Sequence, residues 1–221
     1  MTSTVEQDVT DQVNAGAAWM ATSIAVIGLG SMGLGMAGAL LRAGARVSGY
    51  DPQPAALARF QSLGGRAGSS PADAARDAQV VVSVVVNAAQ TEQSLFGEDG
   101  CLATMAGDGV FVSCATMAPA SARALAARVE ASGRAYLDAP ISGGSQRAAE
   151  GSLSMLLSGS EAAFRQAAPV LQAMASTIHR LGDTAGQAAS FKMVNQLLAG
   201  VHIAAASEAM AFAAREGLDL A

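Results

Sequence analysis

The amino-acid sequence predicts a doubly wound parallel α/β sheet followed by one long helix. Short β-branched runs alternate with alanine-rich amphipathic stretches along most of the chain, and one valine-rich run is apolar on both faces. Such alternation is typical of βαβ units, in which helices cover a parallel sheet from both sides. With 221 residues and 51% hydrophobic content, the chain can bury a full core as one domain with an appended element.

The predicted elements follow one another in a regular order. Strands are predicted at residues 24–27, 46–50, 80–86, 110–114, 135–138, 153–157 and 178–181. Helices are predicted at residues 32–42, 54–63, 119–132, 162–174 and 188–215. The last helix contains no proline and is interrupted only by Gly200, so we expect it to leave the sheet domain. We therefore divide the chain into a disordered N-terminal extension at 1–20, a sheet domain at 21–184 and a helical segment at 185–221.

Charge and composition favour a small-molecule ligand over a nucleic acid. The formal net charge is -5, the isoelectric point is about 4.9 and only 13 residues are basic. Nucleic-acid affinity comes chiefly from clustered lysine and arginine, which this composition does not supply. Cys101 and Cys114 form no CxxC motif, and His179 and His202 are isolated, so we expect neither a metal site nor a disulfide framework.

Targeting signals are not expected in this chain. Residues 1–20 are polar and lack the apolar stretch with a basic flank that a secretory signal needs. The apolar run at 79–86 is too short for a bilayer, which takes about 20 residues to cross. We therefore expect a cytoplasmic protein without a membrane partner.

A glycine-rich loop, Gly28-Leu29-Gly30-Ser31-Met32-Gly33, directly follows the first predicted strand and opens the first helix. That context is typical of a dinucleotide-binding loop in a Rossmann-type sheet. Gly28 would permit the tight turn, Gly30 would let the backbone approach a pyrophosphate, and Gly33 would let helix and strand pack closely. The helix N-terminus would supply partial positive charge. The alternative is a glycine-rich turn between packed elements without a ligand.

Asp51 ends the second predicted strand, eighteen positions after Gly33. A carboxylate there can accept hydrogen bonds from both hydroxyls of an adenosine ribose, and it would repel the 2'-phosphate of NADP. No arginine follows it at once, since the next one is Arg59. The position therefore favours NAD as the cofactor, although Asp51-Pro52 also fits a simple turn.

Lys192 is the only lysine in the chain, because the other twelve of the 13 basic residues are arginine. Arginine cannot lose its proton in a protein, whereas a partly desolvated lysine can, so a proton-transfer role would explain the retained amine. Asn195 and Gln196 follow at spacings of i+3 and i+4, which places all three side chains on one helix face. A polar face is costly to bury without partners and so indicates a polar ligand. Chance retention of one lysine and a solvated helix face are the alternatives.

A second glycine loop, Asp-Ala-Pro-Ile-Ser-Gly-Gly, spans residues 138–144 at the carboxyl end of a predicted strand. Open α/β sheets hold ligands at this end of their strands. The hydroxyl of Ser142 and the amides of Gly143 and Gly144 are able to bind a carboxylate, and Asp138 or Pro140 would stiffen the approach. An ordinary wide turn is the alternative.

These motifs together resemble the 3-hydroxyisobutyrate (β-hydroxyacid) dehydrogenase family. GLGSMG, DAPISGG and FKMVNQ occur in the family's order and at suitable separations, and the resemblance runs from about Ser23 to the end of the chain. Within the family, residues 192–219 look particularly like L-threonate dehydrogenases. The resemblance implies an NAD-dependent oxidoreductase that acts on a small hydroxy acid as a homodimer or homotetramer.

The resemblance also implies roles for individual residues, with Lys192 as the catalytic acid/base. It implies that the substrate is held by Ser142, Gly143, Gly144, Asn195 and Gln196. It implies that the nicotinamide half of the cofactor site is lined by Val85, Val86, Asn87 and Thr116. Two departures matter: Gln196 replaces an asparagine found in many members, which favours a hydroxylated acid, and Val86 replaces a common proline.

The resemblance implies a particular reaction, and it implies that the family's all-helical domain is represented here only in part. The expected reaction is oxidation of L-threonate to 2-dehydro-L-erythronate, with NAD accepting hydride and neutral Lys192 removing the hydroxyl proton. Family members continue into an all-helical domain that covers the cleft, and this sequence corresponds only to the first long helix of that domain. The alternatives are a reductase or dehydrogenase of the tartronate semialdehyde or 3-hydroxyisobutyrate type, and a non-catalytic NAD-binding fragment.

Overall fold

A mostly parallel sheet with helices on both faces organises residues 22–219, which are the residues that the computed structural model describes. Its strands are β1 (Ser23–Ile27), β2 (Arg46–Tyr50), β3 (Arg66–Ala67), β4 (Val80–Ser83), β5 (Val110–Ser113), β6 (Ala135–Asp138), β7 (Ile141–Ser142), β8 (Leu153–Gly159) and β9 (Ala175–Gly182). The helices are α1 (Ser31–Arg42), α2 (Pro54–Ser62), α3 (Pro71–Ala74), α4 (Ala88–Phe96), α5 (Pro119–Glu130), α6 (Gly144–Glu150), α7 (Glu161–Met174) and α8 (Gln187–Arg215), with a 3-10 turn at Cys101–Ala103. The predicted extension at 1–20 lies outside the described residues.

The strand order confirms the predicted doubly wound sheet. Strands β3, β2, β1, β4, β5 and β6 lie side by side in that order and are parallel. Strand β8 continues the sheet antiparallel to β6, and it pairs with β7 and β9. The order reverses between β1 and β4, and ligands of open α/β sheets bind outside the carboxyl ends of the strands at such a reversal.

The core consists of two apolar layers, one on each face of the sheet. Within strand β4, Val80 and Val82 pack into one layer and Val81 packs into the other. Strand β1 divides in the same way, because successive side chains of a strand point to opposite faces. Burial on both faces confirms the interpretation of the valine run as a central strand.

The same valine run is longer than the strand that it forms. Strand β4 ends at Ser83, whereas the prediction extended to residue 86 and is wrong there. The side chain of Asn87 accepts the backbone N–H of Gln90 at 3.0 Å and caps helix α4, so the chain has already turned out of the sheet. Val86 is consequently 77% exposed. The helix cap overrides the β-propensity of the last valines.

Smaller elements were missed or mispredicted at their ends. The sequence prediction did not include helices α3, α4 and α6 or the two-residue strands β3 and β7, and it ended helix α5 at residue 132 rather than at Glu130. Strands β8 and β9 extend beyond the predicted 153–157 and 178–181. These elements are short or depend on pairing with distant segments, so their local sequence carries little signal.

Helix α8 is the long terminal helix that the sequence predicts. It contains 29 residues, of which only Ala188, Ala189 and Lys192 are buried. Its large exposed apolar side chains are Phe191, Met193, Val194, Leu197, Leu198, Val201, Ile203, Met210 and Phe212. By length and composition alone the helix could cross a membrane, but the core helix of a soluble protein passes the same test, so a single such helix is weak evidence. The absence of a membrane partner, the cytoplasmic location and the homodimer or homotetramer therefore stay predictions.

Candidate active site

A cleft of about 600 Å³ opens at the carboxyl ends of β1, β2 and β4, where the strand order reverses. Five of the predicted cofactor residues line it, namely Gly28, Gly30, Asp51, Val85 and Val86. The cleft therefore lies where a doubly wound sheet is expected to hold a dinucleotide.

The glycine loop has the geometry that its three glycines predict. Gly28 adopts φ +92°, and a Cβ there would lie 2.5 Å from the carbonyl oxygen of Val84. A Cβ on Gly33 would lie only 1.9 Å from the carbonyl oxygen of Gly28, so helix α1 packs directly on the turn. A Cβ on Gly30 would meet no atom within 4 Å. The turn is thus closed toward the protein and open at Gly30, on the side that a ligand needs.

The start of helix α1 fits an anionic group. Gly30 is its N-cap residue and provides no side-chain cap, and its first turn contains no acidic residue. Ser31 is exposed and Met32 is half-buried, so the first turn lies at the surface. Uncapped N–H groups and the helix dipole favour a phosphate at such a position. Leu29 differs, because its side chain is buried and its N–H already donates to the Asp51 carboxylate at 2.8 Å.

Asp51 joins the glycine loop to the end of strand β2. Its Oδ2 accepts the N–H of Leu29 at 2.8 Å, and its Oδ1 accepts the N–H of Gln53 at 2.9 Å. The second bond is the turn that Asp51-Pro52 suggested in the sequence, so the two interpretations of this residue are compatible. A carboxylate has about four acceptor positions. Both oxygens therefore retain acceptor capacity toward the cleft that Asp51 lines.

Of the four residues predicted to line the nicotinamide half of the site, some line the cleft and others do not. Val85 is half-buried in the cleft wall, and the backbone N–H of Val86 donates to Oε1 of Gln90 at 2.9 Å. Asn87 uses its side-chain oxygen to cap helix α4. Thr116 is exposed in the connection after β5 and does not line this cleft.

Lys192 contacts the second glycine loop directly. Its Nζ donates to the carbonyl oxygen of Ile141 at 2.8 Å and to Oγ of Ser142 at 2.7 Å. The residue is only 6% exposed, and this burial lowers the pKa of its amine from the ordinary value of 10.5. The structure therefore brings together the predicted acid/base and the predicted substrate loop, whose residues lie about 50 positions apart in the sequence.

The other predicted substrate residues lie close in sequence to Lys192 or Ser142 but make no side-chain hydrogen bond to either. Gly143 and Gly144 are exposed at the start of helix α6. Asn195 and Gln196 are exposed one turn beyond Lys192, and neither side chain makes a hydrogen bond to another described residue. These amides are thus available to a ligand, and equally they fit the solvated helix face considered from the sequence.

Sequence reasoning named Asp138 only as a residue that stiffens the second glycine loop, and it missed Ser158 and the part that both residues play at the start of helix α8. Asp138 is 1% exposed, and its Oδ2 accepts the N–H groups of Gly186 and Ala189, each at 2.9 Å. Ser158 is fully buried and accepts the N–H of Ala188 at 3.0 Å. In the sequence, each of these residues is a polar residue that follows an apolar run in its strand. The pairing of β6 with β8 then brings Asp138 and Ser158 together.

Comparison with known protein families gives two matches, one for the sheet and one for the last helix. Residues 23–182 match the family described as the NAD binding domain of 6-phosphogluconate dehydrogenase. Residues 186–221 match the family described as NAD-binding of NADP-dependent 3-hydroxyisobutyrate dehydrogenase. The chain belongs to the 3-hydroxyisobutyrate dehydrogenase family. The predicted family, the NAD-binding Rossmann-type domain and the oxidoreductase class are confirmed at this level.

Individual relatives place the chain within the 3-hydroxyisobutyrate dehydrogenase family. It is 48% identical to an L-threonate dehydrogenase of Cupriavidus necator over 200 residues, which are 90% of this chain and 67% of the relative. It is 40% identical to a 3-hydroxyisobutyrate dehydrogenase of Pseudomonas aeruginosa, covering 90% and 66%. A solved 3-hydroxyisobutyrate dehydrogenase from Salmonella typhimurium superposes with a TM-score of 0.84 at 44% identity, covering 89% and 69%. The chain thus spans about two thirds of the length of these relatives.

Proposed function

We propose that this chain carries the NAD site and the acid/base lysine of a dehydrogenase that oxidises L-threonate to 2-dehydro-L-erythronate. The single observation that carries the proposal is the contact of Lys192, a buried residue, with the edge of the sheet, where its Nζ donates to Ile141 and Ser142. Several relatives named L-threonate dehydrogenase, at 41–48% identity, support this choice of substrate. The activity concerns the whole protein, of which the chain spans about two thirds.

The hydrogen bonds of Lys192 leave one position on Nζ for proton transfer. A neutral amine has two hydrogens and one lone pair, and an ammonium group has a third hydrogen in place of the lone pair. Ile141 and Ser142 accept two hydrogens in either state. The third position therefore carries the proton or the lone pair, and a substrate hydroxyl placed there would lose its proton to Nζ.

Burial sets the direction of this proton transfer. Desolvation lowers the pKa of Lys192, which increases the fraction of neutral amine near neutral pH. A general base works best when its pKa lies near the working pH. NAD, when bound, supplies the hydride acceptor. We propose that Ser142, Gly143, Gly144 and Asn195 orient the acid, with Gln196 favouring a hydroxylated chain.

Asp51 is proposed to make the site prefer NAD to NADP. Asp51→Asn is expected to lower the ratio of the NADP dissociation constant to the NAD dissociation constant by about tenfold. The reason is that removing the charge removes its repulsion of the 2'-phosphate of NADP. Titration calorimetry with each cofactor measures this ratio. Asp99→Asn is the matched control, since it removes another carboxylate from the lining of the same cleft and should leave the ratio unchanged. An unchanged ratio in Asp51→Asn would show that another group sets the preference.

Two other functions use the same residues. A reductase or dehydrogenase of the tartronate semialdehyde or 3-hydroxyisobutyrate type would use the same lysine, in its ammonium form when it reduces. The relative named 3-hydroxyisobutyrate dehydrogenase supports an enzyme of this type. A non-catalytic NAD-binding module is the third function, and it would use the cleft lined by Gly28, Gly30 and Asp51 without proton transfer at Lys192.

A substrate panel separates the three functions. NAD would be offered with L-threonate, 3-hydroxyisobutyrate and L-serine, and NADH with tartronate semialdehyde, while NAD binding is measured by calorimetry on the same sample. The proposal requires the highest kcat/KM with L-threonate. A higher value with tartronate semialdehyde and NADH would favour the reductase, and NAD binding without any turnover would favour the binding module.

A further inference from the structure

The N-terminus of helix α8 is held by side chains from two adjacent strands. Its N-cap residue, Gly186, has φ +92° and offers no capping side chain of its own. Instead, Asp138 at the end of β6 accepts two N–H groups of the first turn, and Ser158 of β8 accepts a third. We propose that Asp138 and Ser158 are positioning residues for Lys192, which fix its helix against the loop that its amine contacts.

The contacts form a closed ring through Asp138. In one direction the chain runs from Asp138 through Pro140 to Ile141 and Ser142, the two acceptors of Nζ. In the other direction the Asp138 carboxylate binds the N–H of Ala189, which lies three positions before Lys192. Asp138 is therefore connected both to the loop that accepts from Nζ and to the helix that carries Lys192. Its bond to the helix lies within one helical turn of the lysine.

The register of the sheet places the two positioning residues together. Asp138 pairs with Ser158 across the antiparallel strands β6 and β8, and Oγ of Ser158 lies 3.4 Å from Oδ2 of Asp138. The hydroxyl also accepts the N–H of Ala188, four positions before Lys192 and on the same helix face. Two successive amides, those of Ala188 and Ala189, are thus fixed by neighbouring strands, which sets the rotation of the helix about its axis.

A carboxylate suits this position for a physical reason. The first N–H groups of a helix have no partner within it, and the helix dipole favours a negative charge beside them. Burial raises the pKa of Asp138, while the bonds from Ala189, Gly186 and Ser158 act in the opposite direction. Burial lowers the pKa of Lys192. Asp138 bonds the backbone N–H groups of Gly186 and Ala189 and not the amine itself, so it acts on the lysine by holding its helix in position.

The lone lysine provides a direct probe of this arrangement. Amine acetylation with acetic anhydride can modify only Lys192 and the N-terminus, so mass spectrometry of the peptide containing residue 192 follows one side chain. The dependence of its rate on pH gives the pKa of Lys192, and the plateau at high pH gives its accessibility. The measurement uses the whole chain and requires neither turnover nor a known substrate.

We expect Asp138→Ala to shift the pH midpoint of Lys192 acetylation upward, toward 10.5, and to raise the plateau rate about tenfold. Ser158→Ala should change both quantities in the same direction by less, because it removes one of the three bonds. Asp138→Asn should stay closer to the parent, since an amide oxygen can still accept from the first turn. Ser160→Ala is the matched control, because it removes a helix cap of the same kind from α7.

The proposal is overturned if Asp138→Ala and Ser158→Ala both match Ser160→Ala in midpoint and plateau. Circular dichroism identifies a variant that fails to fold, and Ser158→Ala then decides the question alone. The effect on catalysis rests on the proposed function, and there the variants should lower kcat without weakening NAD binding. If Lys192 proves dispensable for turnover while the acetylation profile still shifts, the proposed chemistry fails and the positioning role stands.

Discussion

Lys192→Ala is expected to reduce turnover by about 10²–10⁴-fold while leaving the dissociation constant of NAD unchanged. Among residues 22–219, the amine of Lys192 is the group at this edge of the sheet that contacts the Ser142 loop and whose pKa is lowered by burial. Lys192→Arg should be almost as inactive, because a guanidinium keeps the positive charge but cannot give up its proton. Stopped-flow turnover with the best substrate of the panel and calorimetry with NAD measure the two quantities.

The neighbouring residue offers a control for this substitution. Met193→Ala shortens an exposed side chain on the same helix and should keep the parent kcat. Retention of the parent kcat by Lys192→Ala would rule out the acid/base role. A loss of NAD binding in that variant would instead indicate a structural role for the side chain.

Chemical restoration of the amine makes the test more specific. In Lys192→Cys, alkylation with 2-bromoethylamine creates an aminoethyl thioether close in length to lysine. Cys101 and Cys114 are buried, and burial raises the pKa of each thiol to about 12, so their thiolates are scarce and their own alkylation should be slow. Recovery of part of the lost turnover is expected only if an amine at this position transfers the proton.

The sequence predicted the fold because its signals are local. Hydrophobic runs and glycine positions specify β1, the loop at residues 28–33 and helix α1 within a span of about twenty residues, and the structure has these elements. The end of strand β4 was mispredicted because two local preferences compete there. The cap supplied by Asn87 outweighs the β-branched side chains that precede it.

The site was only partly predictable because its decisive contacts are long-range. A unique lysine and a glycine loop indicated Lys192 and Ser142 separately, yet their contact joins residues 50 positions apart. The bond from the Ala189 N–H to Asp138 spans 51 positions, and that from the Ala188 N–H to Ser158 spans 30. Such pairs follow from strand register and helix placement, which no local pattern encodes. Asp51 shows the same limit, since its bond to the Leu29 N–H could not be read from either motif.

Gly33→Ala is expected to abolish measurable NAD binding and to lower the free energy of unfolding by about 3 kcal/mol, the upper end of the usual cost of overpacking. The added Cβ would lie 1.9 Å from the carbonyl oxygen of Gly28 and 2.9 Å from its carbonyl carbon, and these backbone atoms cannot move away as a flexible side chain would. The turn and helix α1 would have to separate, which displaces the N–H groups proposed to bind the pyrophosphate. Calorimetric titration with NAD and chemical denaturation measure the two effects.

Two other glycines separate loss of the fold from loss of the ligand site. Gly30→Ala should keep the parent stability, because the new Cβ meets no protein atom within 4 Å and φ is -64°, but it should weaken NAD binding by occupying the open side of the loop. Gly200→Ala lies in the middle of helix α8, where alanine should add about 0.5–1 kcal/mol of stability without affecting NAD. If Gly30→Ala bound NAD as tightly as the parent, the pyrophosphate could not lie over this loop. The preference for glycine at residue 30 would then have to come from folding alone, which the open space around it does not explain.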